Sequence, residues 1–567
     1  MLGWKLPAVL AATLALGGAI RAQSSPPSPI PAHESATNQI IDRIIRQENA
    51  VISRVERYTP LVEIYIQDTK PTRNLGPVPA HDYYYLGKAE LAHGLAFQPL
   101  DARTGGFAKA IATPFRELFG NSYDPAGFLQ MIFPDARGLD RAHYRFRYVR
   151  REFLGDVRCL VFDLIPKPDA GQGRFKGRIW VEDRDFAIVR FNGIFHPDPR
   201  FGMYFHFDSW RVNVAPGVWL PAFVYSEENE PSGVFGHVRF RAQMRLWGYN
   251  LSPAVREQEL SRILVESSQG SQPVEDRSRA NDDLSPVQSE RAFEDEAAQN
   301  VLDRLQSIGL LAPPGPVDKV LDTVVNNLVI SNKLDVEPDV RCRVLMTTPL
   351  EAFAVGHTIV LSRGLIDVLP DESSLAAMLA QELAEILLGH SINTEYAFSD
   401  RMIFNVKNTF HVLDFHESRR SVEEASAKAV ELLEHSPYKN SLGNAGLFLK
   451  ALQSESKELP QLISPHLGNR PEEIAAIERL APQLQPANVK QIAALPLGSR
   501  IKVNPWNDGI AMMRTQAVPL LYAREKMPFE LAPFYLHLER ASAEGAAGAR
   551  GSLAKSDSKK NTGKQQQ

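Results

Sequence analysis

A long succession of period-two segments between about residues 60 and 248 constrains the fold most strongly. Hydrophobic and polar side chains alternate in short runs between turn-forming residues, as at 144–149, 177–181, 187–191 and 238–242. Alternation with a period of two is typical of strands that bury one face. Because no helical pattern separates these runs, the segment predicts an antiparallel meander that is strongly curved or partly closed.

Helical periodicity replaces this alternation farther along the chain, most clearly around Glu382. With about 100° between successive residues, the apolar side chains there form one broad face. They are Leu375, Met378, Leu379, Leu383, Ile386 and Leu387. Glu382 falls inside this face, where a carboxyl group must be partnered or neutralised because its burial costs free energy. We therefore expect Glu382 to be hydrogen-bonded or protonated.

Two motifs that flank this helix resemble metallopeptidase family 48, the group of the CAAX prenyl proteases and HtpX-type proteases. Residues 351–367 are similar to the family signature N-A-F-A-x-G-G-x-I-x-V-x-x-G-L-L, and 464–470 are similar to its S-T-H-P-x-x-x-x-R turn. The resemblance covers roughly residues 295–485. It implies a mainly helical zincin-like domain whose edge strand, from Ala354 to Leu361, borders a peptide groove. The groove residues are then Ala354, Gly356, Thr358, Ile359 and Val360.

The same resemblance places 380–385 where the family carries H-E-x-x-H. In that motif two histidines one turn apart bind Zn²⁺, and the adjacent glutamate activates the metal-bound water. Here Gln381 and Glu385 occupy the histidine positions, and Glu382 alone retains the general-base position. The family's third ligand, a glutamate, corresponds to Val422 in the best register. Glu423 follows it, but on a helix it points about 100° away.

These replacements make the ligand positions degenerate, so we expect no metal although the family implies zinc. The leading hypothesis is a catalytically inactive pseudopeptidase whose edge strand binds an extended peptide or an envelope protein by strand addition. A second hypothesis is an active metalloendopeptidase with an atypical metal site rebuilt from Glu382, Glu385, His390 and Glu423. A third hypothesis, a lipid or lipoprotein carrier, rests on the β domain.

The third hypothesis starts from 178–183 and 186–190, whose order is a weak motif that resembles lipoprotein carriers of the LolA and LolB kind. That resemblance implies a curved sheet over an apolar cavity, which could hold an acyl chain or a segment of a partner. The competing interpretation is that the aromatic residues fill the hydrophobic core, Trp180, Trp210 and Trp219 among them.

The N-terminal sequence predicts export. Lys5 precedes an apolar run from Leu6 to Ile20, followed by Arg21 and the small residue Ala22, as in a secretory signal peptide. The mature chain is then periplasmic or secreted, unless the run stays uncleaved as an anchor. No later window is long and apolar enough to cross a bilayer. A formal net charge of −4 gives no sign of nucleic-acid binding.

The predicted fold class is α+β, with a curved antiparallel β domain followed by a mainly helical zincin-like domain that carries a small edge-strand sheet. In chain order the predicted segments are a signal peptide at 1–22, a flexible tether at 23–36, the β domain with an N-terminal helix at 37–250, a linker at 251–292, the peptidase-like domain at 293–485, a small appendage at 486–540 and a disordered tail at 541–567. Cys159 and Cys342 fall in different domains. We expect buried free thiols, although an oxidising compartment would also allow a disulfide.

Overall fold

The computed structural model describes residues 32–73, 76–92, 94–100, 123–195, 205–228, 239–250, 286–390, 394–471, 474–481, 497–498, 500–512, 529–533 and 535–541. The chain separates into two compact units, Met1–Asp42 and Arg43–Gln567. The predicted signal peptide, most of the predicted tether and linker, and the tail beyond Ala541 lie outside the described residues.

Ten strands form one antiparallel sheet in the order β3-β2-β1-β10-β9-β8-β7-β6-β5-β4. The strands are β1 Leu61–Thr72, β2 Gly76–Glu90, β3 Ala96–Pro99, β4 Tyr144–Leu154, β5 Val157–Pro166, β6 Phe175–Glu182, β7 Ile188–Phe195, β8 His206–Ala215, β9 Val218–Glu228 and β10 Phe240–Trp247. Helix α1 (Ala32–Val55) precedes the sheet, and α2 (Pro125–Leu129) and a 3₁₀ turn (Gln130–Ile132) lie between β3 and β4. Apart from β1 and β10, paired strands are consecutive in the chain, which confirms the predicted meander.

The part of α1 that belongs to the second unit contacts the sheet through a buried ion pair. Glu48 accepts two hydrogen bonds of 2.6 Å from the guanidinium of Arg211 on β8, which also donates to the carbonyl of Ile188. Both charged side chains are fully buried. The aromatic residues of the sheet are buried as well, as the packing interpretation requires: Trp180, Trp210 and Trp219.

The rest of the described chain is mainly helical and carries a three-stranded sheet, which confirms the predicted α+β class. Its helices are α3 Pro286–Ser307, α4 Pro316–Ser331, α5 Arg363–Val368, α6 Glu372–Leu387, α7 Thr409–Val412, α8 Arg419–Glu434, α9 Leu442–Glu455, α10 Pro460–Ile463 and α11 Ala475–Glu478. The 3₁₀ turns are Thr394–Ala397, Ser399–Met402, Val406–Asn408 and Lys439–Ser441. The strands are β11 Arg341–Leu345, β12 Ala352–Val355 and β13 Thr358–Ser362. None of the helices in the described ranges has the length and apolar character that a membrane span requires.

The small sheet has the order β11-β13-β12, which corrects the predicted edge strand. The segment from Ala354 to Leu361 is not one strand but a hairpin with a two-residue loop, Gly356 and His357. Gly356 has a φ of 56°, and the first position of such a loop favours glycine. Of the predicted groove residues only Ala354 lies in the edge strand β12. The central strand β13, which pairs with β11 and β12, contains Thr358, Ile359 and Val360.

The ten-stranded sheet and the helical region share a buried polar cluster centred on Glu63 of β1. Glu63 accepts hydrogen bonds from the backbone N–H of Thr348 at 2.5 Å, from the Thr348 hydroxyl at 2.7 Å and from Arg363 at 2.5 Å. The Tyr84 hydroxyl donates to it at 2.9 Å. Arg363 also lies 3.4 Å from Asp367. Because Thr348 precedes β12, this cluster anchors the base of the hairpin to the large sheet.

Asp82 of β2 makes a second link. Its carboxylate accepts hydrogen bonds from the backbone N–H groups of Gln461 and Leu462, at 3.0 and 2.8 Å, and from the Tyr65 hydroxyl at 3.0 Å. Burial raises the pKa of Asp82 to about 6. The Leu462 carbonyl in turn accepts from the N–H of Leu350. The large sheet therefore supports both the segment before β12 and the end of α10.

The C-terminal segments return to the large sheet. Strands β14 (Ile501–Val503) and β15 (Ile510–Met512) pair in antiparallel fashion within the predicted appendage. Farther on, Gln67 of β1 binds the backbone on both sides of residue 530: it donates to the Phe529 carbonyl at 2.8 Å and accepts from the Leu531 N–H at 2.9 Å. The two cysteines are buried free thiols, as expected from the sequence: Cys159 and Cys342.

Candidate functional site

Helix α6 positions the residues that the sequence singled out. It begins after Asp371, whose side chain accepts a hydrogen bond from the N–H of Ser374 at 2.8 Å and so caps the helix. In its second half Gln381, Glu382 and Glu385 are 2%, 3% and 2% exposed. Every residue from Ala376 to Glu385 is buried. The helix is therefore covered on all sides at this point, and burial alone does not distinguish the face that the periodicity predicted for Glu382.

A small cavity lies against this part of α6. It is lined from α6 by Gln381 and Glu382, and from α8 by Val422. The remaining lining residues come from β12, α6 and the segment after α10: Ala352, Met378, Asn469, Arg470, Pro471 and Ile474. The enclosed part has room for about one water molecule. This cavity is called the Gln381–Glu382 cavity below.

Glu382 is an acid without a partner among the described residues. None of them donates a hydrogen bond to its carboxyl group, and the causes that act on its pKa are burial first and then the negative charges of Glu385 and Glu417. All three disfavour the ionised form and raise the pKa of Glu382 well above its ordinary value.

The two residues at the histidine positions bind each other. The Gln381 amide nitrogen donates to Glu385 Oε1 at 3.1 Å and to the carbonyl of Val422 at 3.4 Å. The other oxygen of Glu385 contacts Nδ1 of His390. Burial raises the pKa of Glu385, and the hydrogen bond from His390 offsets part of this effect. The Gln381 amide oxygen is buried without a hydrogen-bond partner among the described residues.

The geometry of α8 agrees with the register that places Val422 at the third ligand position. Val422 is buried and lines the cavity together with Glu382. Glu423 points outward, is 59% exposed and pairs with Arg419 at 3.2 Å. The structure therefore does not bring Glu423 together with Glu382, Glu385 and His390, which the rebuilt metal site requires.

The residues present do not fit the zinc ion that the sequence resemblance implies. A catalytic zinc site needs three protein ligands with free lone pairs. The first position is Gln381, whose amide nitrogen is hydrogen-bonded to Glu385. The second is Glu385, whose carboxylate is bound by Gln381 and His390. The third is Val422, whose side chain has no atom that can bind a metal. Within the described ranges the one group of potential ligands close enough to share an ion lies elsewhere, at Asp156, His537 and Glu539.

The edge strand β12 borders the same cavity. Its first residue, Ala352, lines the cavity and forms an antiparallel bridge with Asn469. The N–H of Ser362 donates to the carbonyl of Glu351, and hydrogen-bonded pairs alternate along an antiparallel ladder. The backbone groups of Ala354 therefore point away from β13, at the edge of the sheet.

Sequence reasoning missed much of the wall opposite α6. Asn469 and Arg470 lie in the segment that resembles the family's turn motif, so that motif is the signal that locates them. Asn469 also accepts a hydrogen bond from the N–H of Glu417 at 2.7 Å. The supporting residues Glu63 and Asp82 carried no signal, because their partners are hundreds of residues away.

This domain has a central helix with a buried glutamate beside a three-stranded sheet, and the edge strand of the sheet borders the cavity. This arrangement defines a peptidase-like domain of the zincin type. Residues 317–437 match the model of Peptidase family M48, which confirms the resemblance found at 351–367 and 380–385. The turn motif at 464–470 lies outside the matched residues. This match covers the hairpin, α6 and α8.

A solved structure is similar to another part of the chain. It is described as an outer membrane lipoprotein-sorting protein domain from Vibrio parahaemolyticus, and it shares 10% sequence identity with this chain. The similarity covers 36% of this chain and 89% of that one, with a TM-score of 0.18. A score this low gives no basis for assigning a shared fold. No curated protein matches the chain.

Proposed function

We propose that this chain is an exported, peptidase-like protein that does not hydrolyse peptides and instead binds an extended peptide or an envelope protein beside β12. The observation that carries the proposal is the contact between Gln381 and Glu385, at 3.1 Å, with Val422 at the third position. Side chains that bind each other in this way leave no ligand set to activate water. Export is supported by the N-terminal sequence pattern.

Peptide binding by strand addition requires backbone groups and no metal. The N–H and carbonyl of Ala354 point away from β13, as the ladder alternation requires, and so are not used within the sheet. The bridge between Ala352 and Asn469 closes the edge at its beginning. A peptide therefore has its backbone contact at Ala354 and continues past the Gln381–Glu382 cavity.

The binding site is tested by photo-crosslinking. The photoreactive residue p-benzoylphenylalanine is introduced at Ala354, and in a control at Ile330, which is exposed on α4. Biotinylated extended peptides and envelope extracts are then irradiated with the full chain. We expect labelling at Ala354 that unlabelled peptide competes away, and none at Ile330. Equal labelling at both positions, or none at Ala354, would reject this binding site.

The absence of hydrolysis is tested separately with quenched fluorescent peptides and denatured protein substrates. We expect no turnover, with or without added zinc. Turnover that a chelator abolishes, and that Glu382→Gln removes without unfolding the protein, would reject the proposal in favour of an active metalloendopeptidase.

A further inference from the structure

Strand β4 forms one edge of the ten-stranded sheet, and among the described strands it pairs only with β5. It has 11 residues, whereas β3 at the opposite edge has 4. The outer backbone groups of a long edge strand can pair with another chain, so folded proteins usually shorten or cover such edges. β4 is neither short nor covered, because 6 of its residues are exposed.

The backbone of β4 presents hydrogen-bonding groups along this edge. The N–H of Lys167 donates to the carbonyl of His143 at 2.9 Å, one pair before the β4–β5 ladder begins. Because hydrogen-bonded pairs alternate along an antiparallel ladder, Phe146 and its partner Leu164 form a non-hydrogen-bonded pair. The N–H and carbonyl of Phe146 therefore point away from β5, where an added strand can bind them.

The side chains of β4 differ between the two faces of the sheet. Arg145, Arg147 and Arg150 share one face, because their partners on β5 are each two residues apart across the register shift. Tyr148 and Phe153 lie on the other face. All three arginines are exposed, and Tyr148 and Phe153 are 47% and 67% exposed. β4 is therefore basic on one face and aromatic on the other.

Charges within the chain neutralise only part of the basic face. Arg150 pairs with Glu152 at 2.6 Å. Arg147 pairs with Asp163 at 2.6 Å, but that carboxylate also binds an arginine of β6 at 2.9 Å. Arg145 forms no ion pair with a described residue. The remaining positive charge disfavours an antiparallel second copy of β4, which would bring its own arginines to the same face, and favours an acidic partner.

A protein segment fits this edge better than an anionic membrane does. Exposed basic and aromatic side chains also occur together on surfaces that bind membranes. On β4, however, they project to opposite sides of the sheet, so a flat surface that contacts one set leaves the other in water. An added strand lies in the plane of the sheet, places side chains on both faces and binds the outer backbone groups.

We propose that β4 binds, by strand addition, an extended segment of another protein in which acidic and apolar residues alternate. The acidic residues pair with Arg145, Arg147 and Arg150, and the apolar residues pack on Tyr148 and Phe153. Cross-strand pairs of opposite charge, and of aromatic with β-branched side chains, stabilise neighbouring strands. β4 and β12 belong to different sheets, so this surface is a second site beyond the proposed function.

The test uses fluorescent peptides as long as β4 and the full chain, with binding measured by fluorescence polarisation. One peptide alternates Glu and Val, a second alternates Lys and Val, and a third has the composition of the first in an order without alternation. We expect the alternating Glu peptide to bind at least about 10-fold more tightly than either of the others. Equal affinity for the alternating and the reordered Glu peptides overturns the inference.

Methylation of the peptide nitrogens tests strand addition without changing the protein. An antiparallel residue that pairs with Phe146 through both backbone groups lies on the aromatic face and is therefore a Val. Methylation at the Val residues should weaken binding at least about 10-fold, and methylation at the Glu residues less than about 3-fold. A loss with the Glu set alone supports parallel addition to the same strand. Equal effects of both sets overturn the inference.

A charge reversal on the basic face locates the site. Arg145→Glu/Arg150→Glu should weaken the alternating Glu peptide at least about 10-fold and strengthen binding of the Lys peptide. The matched control is Arg419→Glu/Arg420→Glu, the same change of charge on an exposed face of α8, and it should keep the affinity within about 3-fold. Melting temperatures show whether the variants are folded. An equal loss in both double variants overturns the inference, because it reflects net charge alone.

The remaining outcomes separate this site from a membrane surface and from the proposed function. Phosphatidylglycerol vesicles are compared in a flotation assay with the wild type and Arg145→Glu/Arg150→Glu. Vesicle binding that this variant loses, with no binding of the alternating Glu peptide, overturns the inference in favour of a membrane surface. No binding of peptide or vesicle also overturns it. Either result leaves the site beside β12 standing, because crosslinking at Ala354 tests that site independently.

Discussion

Removing the carboxylate of Glu63 should destabilise the protein more than any exposed charge change. Glu63 is 2% exposed and Arg363 is 1% exposed. The Glu63 carboxylate accepts from Arg363, from two groups of Thr348 and from the Tyr84 hydroxyl. In Glu63→Leu these donors lose their acceptor, and Arg363 keeps one acidic neighbour, Asp367 at 3.4 Å. The hairpin base is then held less firmly on the large sheet.

The magnitude follows from the burial of the charge. Breaking a buried ion pair by removing one partner costs about 3–5 kcal/mol, because the remaining charge is left uncompensated. Arg245 adds to the effect. Burial, and then the positive charge of Arg363, lowers the pKa of Arg245 to about 9. Glu63 is one of the two negative charges that oppose this lowering. We therefore expect Glu63→Leu to lower the free energy of unfolding by about 3–5 kcal/mol.

Urea unfolding followed by tryptophan fluorescence measures this loss, because Trp210, Trp219 and Trp247 are buried in the large sheet. The midpoint shift multiplied by the wild-type slope gives the change in free energy of unfolding. Arg419→Ala, which breaks an ion pair whose Arg419 side chain is 90% exposed, is the control and should change little. The double variant Glu63→Leu/Arg363→Met should lose less than Glu63→Leu alone. A loss below about 1 kcal/mol for Glu63→Leu would refute the reasoning.

Two further predictions concern Asp508 and the ligand positions. Burial raises the pKa of Asp508 to about 7, so its contribution to stability is complete below about pH 4 and lost as the pH rises to 7. Asp508→Asn keeps the acceptor for the N–H of Gly248 and should be more stable than wild type by about 1–4 kcal/mol at pH 8 and equal to it near pH 4 in urea unfolding. A difference independent of pH would contradict this. The triple variant Gln381→His/Glu385→His/Val422→Glu should bind zinc in elemental analysis, whereas the variant without Val422→Glu should bind less. Equal zinc in both would show that Val422 is not at the third ligand position.

Local periodicity and turn chemistry predicted a large part of the fold. Period-two alternation located β4, β6, β7 and β10, and the 100° periodicity located helix α6. The same helical geometry turned Val422 inward and Glu423 outward. These features depend on residues near one another in the chain, so the sequence carries them directly.

One error overlooked a local signal, whereas the other omissions depend on contacts between residues far apart in the chain. The hairpin at Gly356 was missed although a glycine opens a two-residue loop there, a recognisable local signal. The central position of β13 could not be recognised, because it depends on parallel pairing with β11. The cluster around Glu63 and Arg363 joins residues 300 positions apart. No periodic pattern marks such a contact, and only tertiary structure brings the two charges together.

The central claim, that a peptidase-like cleft serves recognition without a metal, is tested most directly by metal content. The chain from Gln23 onward is purified without chelator, incubated with excess zinc, dialysed and quantified by elemental analysis per protein. The account predicts no retained zinc, and no difference between wild type and Glu385→Ala. Close to one zinc per chain in wild type, lost in Glu385→Ala, would contradict it.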